Sequence, residues 1–154
     1  MKVIIGSDHG GFSLKEEVKL FLTKSGYEIT DYGTYSTDPV DYPDIAFLVA
    51  QEVSRDPQNV GIIIDGAGMG SCMVANKVPG IRAAACYDTL AAKNSRSHND
   101  ANVLTLGSRI TGGGLALEIV KTWLSASFEG GRHSARVNKI EQVEKEILKT
   151  EKWN

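Results

Sequence analysis

Three histidines, His9, His98 and His133, stand in polar segments flanked by glycine or arginine, and none falls on an apolar stripe. An imidazole titrates near neutrality, so residues placed this way suit acid–base work or anion binding. Metal binding fits them poorly, because there is no HxxxH pair and no clustered Cys/His set. Arg132 and Arg136 are spaced i, i+4 and share a helix face. With Arg109 and His9 they could grip a dianionic phosphate through charge-assisted hydrogen bonds; the plainer alternative is a solvated basic face. The segment DGAGMGS carries Gly66, Gly68 and Gly70 behind Asp65. Its backbone N–H groups suit an anion nest or an oxyanion hole, although glycines alone fit a tight strand–helix turn equally well. It is not a Walker A loop, since GK[ST] is missing, and Ser71 breaks GxGxxG. The segment GSDHGG also fails that fingerprint, although Asp31 stands where a ribose-binding acid would be expected.

The chain of 154 residues is 42% hydrophobic and 23% charged, with a net charge of -2. Such values describe one ordinary globular domain, expected over 1–154, and exclude a disordered tail, a collagen-like fibre and a coiled coil. No basic excess exists to hold a nucleic-acid backbone, so no nucleic-acid partner is expected. No apolar run approaches the roughly 18 residues of a membrane span, so no membrane partner is expected either. The start, MKVIIGSDHGG, does not read as a secretory signal. Cys72 and Cys86 form no CxxC and are expected as reduced thiols in a cytoplasmic protein.

Strands and helices must alternate to position these residues. Lys2–Gly6 reads as a first strand. Ser13–Gly26 reads as a helix whose apolar stripe is Leu14, Val18, Phe21 and Leu22, with Ser13 and Glu16 as a capping box and Gly26 as a stop. Tyr27–Asp31 is a second strand, and Pro43 begins a helix on Ile45, Val49 and Val53. Val60–Ile64 is a continuous β-branched run, which implies burial on both faces and hence a parallel sheet. A short helix over Ser71–Lys77, a strand over Ile81–Cys86, a helix over Thr89–His98 and a strand over Val103–Leu106 follow. The last two helices run on Ala116, Ile119, Val120, Trp123 and Leu124, and on Val137, Ile140, Val143 and Ile147. Five strands alternating with helices predict an open, doubly wound, Rossmann-like α/β sheet. Its ligand edge lies beyond the strand C-termini, where SDHGG, DGAGMG and TLGSR fall. SHND precedes the fifth strand, so it must reach the site from a helix C-terminus or loop.

SDHGG, DYP at Asp41–Pro43, the Gly-rich loop leading to ANKVPGIRAA, SRSHNDANVLTLGSR and EGGRHSARV resemble the ribose-5-phosphate isomerase B family, which also contains galactose-6-phosphate isomerase subunits. The likeness is collinear from about residue 2 to residue 149. It implies a three-layer α/β/α sandwich that forms homodimers or homotetramers with shared active sites. The C-terminal helix, about residues 134–149, is expected to pack on the partner subunit. It also implies cofactor-free and metal-free interconversion of an aldose phosphate and a ketose phosphate. His98 matches the histidine that opens the sugar ring, and Asn99 the asparagine that holds the sugar oxygens. Asp8 and Tyr42 match substrate-lining positions. His9 and Arg109 match phosphate contacts, as do Arg132 and Arg136, which the family supplies from the neighbouring subunit. Gly66, Gly68 and Gly70 match the loop whose amides stabilise the enediolate.

The chain departs from the family at the base. Many members carry cysteine where Asp65 stands, others a glutamate at the position of Ser71, and Ala67 replaces a usual threonine or serine. Asp65 can move a proton between C1 and C2 as a carboxylate. Cys72 is the rival, since a first-turn position should lower a thiol pKa; the plainer alternative, which its place inside the expected helix favours, is a thiol facing the core. The expected activity is isomerisation of ribose 5-phosphate and ribulose 5-phosphate in the pentose phosphate pathway. Alternatives are a hexose 6-phosphate isomerase (galactose or allose), a non-catalytic sugar-phosphate-binding subunit, or a nucleotide-binding module.

Overall fold

The computed structural model describes residues 1–150; the last four positions of the domain expected over 1–154 lie outside the described residues. The elements are β1 (Lys2–Ser7), α1 (Phe12–Lys24), β2 (Glu28–Asp31), α2 (Tyr42–Ser54), β3 (Val60–Asp65), α3 (Met69–Ala75), β4 (Ala83–Ala85), α4 (Thr89–Ser97), β5 (Val103–Gly107), α5 (Gly113–Ser125) and α6 (Arg132–Thr150). The strands lie in the order β2-β1-β3-β5-β4, and every neighbouring pair is parallel. No helix among the described residues is long and apolar enough to cross a membrane.

Strand periodicity sorts the core into two layers. Val60, Ile62 and Ile64 of β3 face one way, with Val3, Ile5, Leu104 and Leu106, against Leu14, Val18 and Leu22 of α1 and Ile119, Val120 and Trp123 of α5. Ile63 faces the other way, with Ile4 and Val103, against Ala46, Val49 and Val53 of α2. β3 is therefore buried along its whole length, as its continuous apolar run predicts. The chain leaves β1 and β3 for different faces: α1 follows β1 into one layer, and α3 follows β3 into the other, where Ala75 packs. The chain reversal opens a crevice at the C-terminal ends of β1 and β3, where ligands bind in such sheets.

Several boundaries differ from the sequence reading. α1 starts on Gly11 with no side-chain cap. Ser13 and Glu16 form no capping box there, because Glu16 turns to Lys15 and Lys19 instead. α3 starts two residues early, at Met69, and ends at Ala75. β4 shrinks to Ala83–Ala85 because the Arg82 N–H donates to the Asn102 side chain (2.8 Å) rather than to a ladder carbonyl.

A charge is sealed beneath this architecture. Lys15 of α1 has 0% exposure, and its ammonium donates to both Asp31 oxygens at 2.8 and 2.7 Å. Lys19 reaches the same carboxylate at 2.6 Å. Asp31, the candidate ribose-binding acid, is thus spent on two lysines. Burial alone would raise its pKa, but the hydrogen bonds from Lys15 and Lys19 outweigh burial and hold it below the usual carboxylate range. A depressed native pKa means that this stabilisation is present above the unfolded value of about 3.9 and is lost as pH falls through the native value. Asp31→Ala should cost about 3 kcal/mol, the low end for breaking a buried pair, since the carboxylate keeps some exposure. Urea denaturation at neutral pH checks the size, and the gap to wild type should close as pH falls well below 4.

Candidate active site

The loop after β3 is built around one carboxylate. Asp65 is 5% exposed. Its Oδ1 accepts the N–H groups of Ala67 (2.9 Å) and Gly68. Its Oδ2 accepts the N–H of Ser71 (3.0 Å) and the Ser71 hydroxyl (2.5 Å). A carboxylate offers about four lone-pair sites, and all four are engaged. This explains the early start of α3: Gly68, at φ 77°, turns the chain through the left-handed region, and Asp65 caps the first-turn amide of Ser71. Two further bonds brace the loop, from the Tyr87 hydroxyl to the Ala67 carbonyl (2.9 Å) and from the Thr105 hydroxyl to the Gly68 carbonyl (2.6 Å).

Neighbouring loops close on this turn. The Ser108 hydroxyl donates to the Gly10 carbonyl at 2.8 Å, and the Arg109 N–H donates to the Gly66 carbonyl at 3.0 Å. The exposed Arg109 stem lies over Gly66, where an added Cβ would sit 3.7 Å from its Cδ. Tyr42, at the start of α2, covers Gly70 so closely that a Cβ there would come within 2.5 Å of the ring. Asp8 accepts the Gly11 N–H at 2.9 Å, fixing the turn after β1. His9 places Nδ1 at 3.2 Å from the backbone of Val40. Asp8, His9, Tyr42, Asp65, the three glycines and Arg109 therefore share the C-terminal edge of the sheet.

A second group assembles elsewhere in the same chain. His98 is the C-cap residue of α4. Its ring stacks on that of His133 at 4.1 Å, nearly parallel at 8°. Glu129 stands against both rings, 3.6 Å from His98 Nε2 and 4.0 Å from His133 Nε2. Asn99 points its amide at Asn94 (3.2 Å), and Asn94 Nδ2 lies 2.9 Å from His98 Nδ1. Arg132 and Arg136 are exposed on the same helix as His133. Among the described residues no hydrogen bond, ion pair or ring contact joins this group to the Asp65 loop.

His133 corrects one expectation. It is 6% exposed, and with Val137, one turn on, it is the buried face of α6. Burial first, then the His98 imidazole and the Arg132 and Arg136 guanidiniums, push its pKa below the usual histidine range, while Glu129 opposes them. Glu129 and Asn94 were not among the candidates. The signal for them was spacing: Glu129–His133 and Asn94–His98 are both i, i+4 pairs. The trio His98, Glu129 and His133 holds its ligand atoms within 4.8 Å of one another. Yet parallel imidazoles direct their lone pairs along separate planes, whereas zinc needs both to converge about 2.0–2.1 Å away.

Cys72 follows the plainer of its two readings. Burial raises its thiol pKa and outweighs the hydrogen bonds that lower it, so the first-turn position does not activate it. The thiol lies 3.4 Å from the Ala83 carbonyl of β4. Cys86, deeper in the core, is pushed up to about 11.

Comparison with known proteins places this geometry. A family model described as Ribose/Galactose Isomerase matches residues 3–140. Ribose-5-phosphate isomerase B of Escherichia coli (strain K12) is 46% identical over 143 residues, covering 93% of this chain and 96% of that one. The solved structure of ribose-5-phosphate isomerase B from Clostridium thermocellum superposes with a TM-score of 0.93 at 54% identity, covering 96% of this chain and 99% of that one. The Mycoplasma genitalium ribose-5-phosphate isomerase B, solved with bound ribulose-5-phosphate, superposes with a TM-score of 0.91 at 42% identity, covering 94% and 97%. These are α/β isomerases of the same doubly wound architecture. The chain belongs to the ribose/galactose isomerase family.

A half-buried thiol whose pKa is raised is a poor base at neutral pH. Cys72→Ala should keep kcat within about twofold of wild type, and the native thiol should react slowly with iodoacetamide at neutral pH. A tenfold loss of kcat in Cys72→Ala would move the base to this residue.

Proposed function

We propose that the protein, an aldose–ketose isomerase of sugar phosphates, interconverts ribose 5-phosphate and ribulose 5-phosphate through a cis-enediolate. The observation that carries this reading is the shared sheet edge: a carboxylate, an amide-bearing turn, the His9 imidazole and the Arg109 guanidinium converge there in a chain of this family. His98 donates a hydrogen bond to the ring oxygen as the C1–O bond breaks, and the proton of the C1 hydroxyl passes through water to that oxygen. Asp65 then takes the C2 proton; the C–H electron pair forms the C1–C2 double bond, and O1 becomes the oxyanion. Returning the proton to C1, with that of the C2 hydroxyl passing to O1, gives the ketose. The amides of Gly66 and Gly70, which the Asp65 carboxylate does not engage, are placed for the developing charge.

Asp65 must give up one hydrogen bond to accept a proton. The bond from Ala67 is the one that is only part-buried, and it is the cheapest to release. Asp65→Asn should abolish exchange of the C2 proton of ribose 5-phosphate with deuterated solvent while sugar-phosphate binding remains. Asp65→Cys should restore measurable exchange, because a thiolate needs none of the four donors. A panel of four- to six-carbon sugar phosphates with the pure protein fixes the preferred chain length. Absence of turnover on every member, with binding retained, would make the chain a binding subunit.

The two residue groups support a homodimer, or a pair of dimers, in which the Asp65 loop of one protomer meets His98, Asn99, Arg132 and Arg136 of the partner subunit. α6 fits such an arm: His133 and Val137 are its buried residues, while Ile140, Val143 and Ile147 form an exposed apolar stripe. Mixing inactive Asp65→Asn with inactive His98→Asn under conditions that exchange subunits should restore about a quarter of wild-type activity. That is the share of intact sites when protomers pair at random about a two-fold axis. A site contained within one protomer would recover nothing.

A further inference from the structure

We propose that Asn94 is a positioning residue that sets the tautomer of His98, holding the neutral ring's proton on Nε2; its catalytic half rests on His98 being the ring opener. The assignment follows from a chain of hydrogen bonds that begins at a group with no choice. The backbone carbonyl of Asn94 can only accept, and the Asn99 side-chain amide lies 3.4 Å from it. That end of the Asn99 amide must therefore be its NH2. The same nitrogen lies 3.2 Å from one terminal atom of the Asn94 side chain, which must then be the oxygen. The other terminal atom, nitrogen, faces His98 Nδ1 at 2.9 Å and can only donate. Nδ1 is left as the acceptor, and in a neutral imidazole the proton then resides on Nε2.

The surroundings agree with that proton position. Nε2 points to Glu129, 3.6 Å away, so an N–H there has a carboxylate to meet. Stacked on the ring is His133 of α6, the helix that also carries Arg132 and Arg136. From α4 the ring meets Asn94, whose side chain is held in turn by Asn99, just beyond the helix. The backbone holds the geometry, since the His98 N–H donates to the Asn94 carbonyl at 2.9 Å and closes the last turn of α4. The result is an imidazole that presents a hydrogen-bond donor, not a lone pair, at Nε2. A neutral imidazole in that form can act as an electrophile toward a substrate oxygen.

Two substitutions test this, and Asn94 is exposed, so both should leave the core intact. In wild type, long-range ¹⁵N–¹H spectra of the neutral ring should show His98 protonated at Nε2 and bare at Nδ1. Asn94→Asp, which offers only acceptors, should reverse this, and Asn94→Leu should give a mixture of tautomers. Turnover of ribose 5-phosphate, which must be ring-opened, should fall at least about tenfold in Asn94→Asp with KM within about twofold. Exchange of the C1 proton of ribulose 5-phosphate, which has no furanose ring to open, should stay within about twofold of wild type. A wild-type ring protonated at Nδ1, or a tautomer that neither variant alters, would overturn the proposal. A reversed tautomer with full turnover of ribose 5-phosphate would overturn its catalytic half. If wild type exchanges no proton of either sugar, the isomerase reading fails while the tautomer measurement still stands.

Discussion

A buried carboxylate with every lone pair occupied holds the central loop of this protein. Asp65 ends the innermost strand and folds back onto the chain that leaves it, collecting three amides and a hydroxyl from residues 67, 68 and 71. Burying a charge is expensive unless hydrogen bonds replace its water. Here they do, and they come from the loop itself, so the turn cannot open without exposing the charge. The neighbouring loops take their positions from that turn. The Arg109 N–H bonds the Gly66 carbonyl, Tyr42 lies over Gly70, and Ser108 ties the loop after β5 to the loop after β1. The amides that would serve an oxyanion are those the carboxylate leaves over.

The sheet that carries this loop is locked by a second buried charge on its outer strand β2. Lys15 and Lys19 come from α1 and Asp31 from the end of β2, so the ion pair clamps the first βαβ unit to the outer strand. The flanking apolar layers are otherwise ordinary, one on α1, α4 and α5 and the other on α2 and α3. Their division sends the chain to opposite faces after β1 and β3, which places the Asp65 turn at the crevice.

The remaining candidate residues gather at the junction of α4 and α6, where His98 and His133 stack beside Glu129. α6 touches the rest of its own protomer sparsely, through the Glu144 carboxylate on the Gly80 N–H and Glu141 beside Arg82. Its apolar residues Ile140, Val143 and Ile147 are left exposed. The proposed sharing of a site between protomers follows from that geometry as much as from family likeness.

The amino-acid sequence by itself determined the alternation of strands and helices, the parallel sheet and the edge at which SDHGG, DGAGMG and TLGSR meet. These are consequences of local periodicity: VGIII can only be buried on both faces, and the glycine clusters must follow strands. It also singled out His98, Arg109, Arg132 and Arg136. It misjudged what depends on distant partners. Ser13 and Glu16 spell a capping box, but Glu16 had lysines nearby and Gly11 took the cap. Cys72 has an activating position on paper, yet burial against β4 keeps its proton on. Asp31 looks free in the sequence and is neutralised by a lysine 16 residues away. His133 reads as polar loop and is buried under His98, 35 residues earlier in the chain. Only tertiary structure decides such matters, because desolvation and charge pairing act between groups that spacing along the chain does not relate.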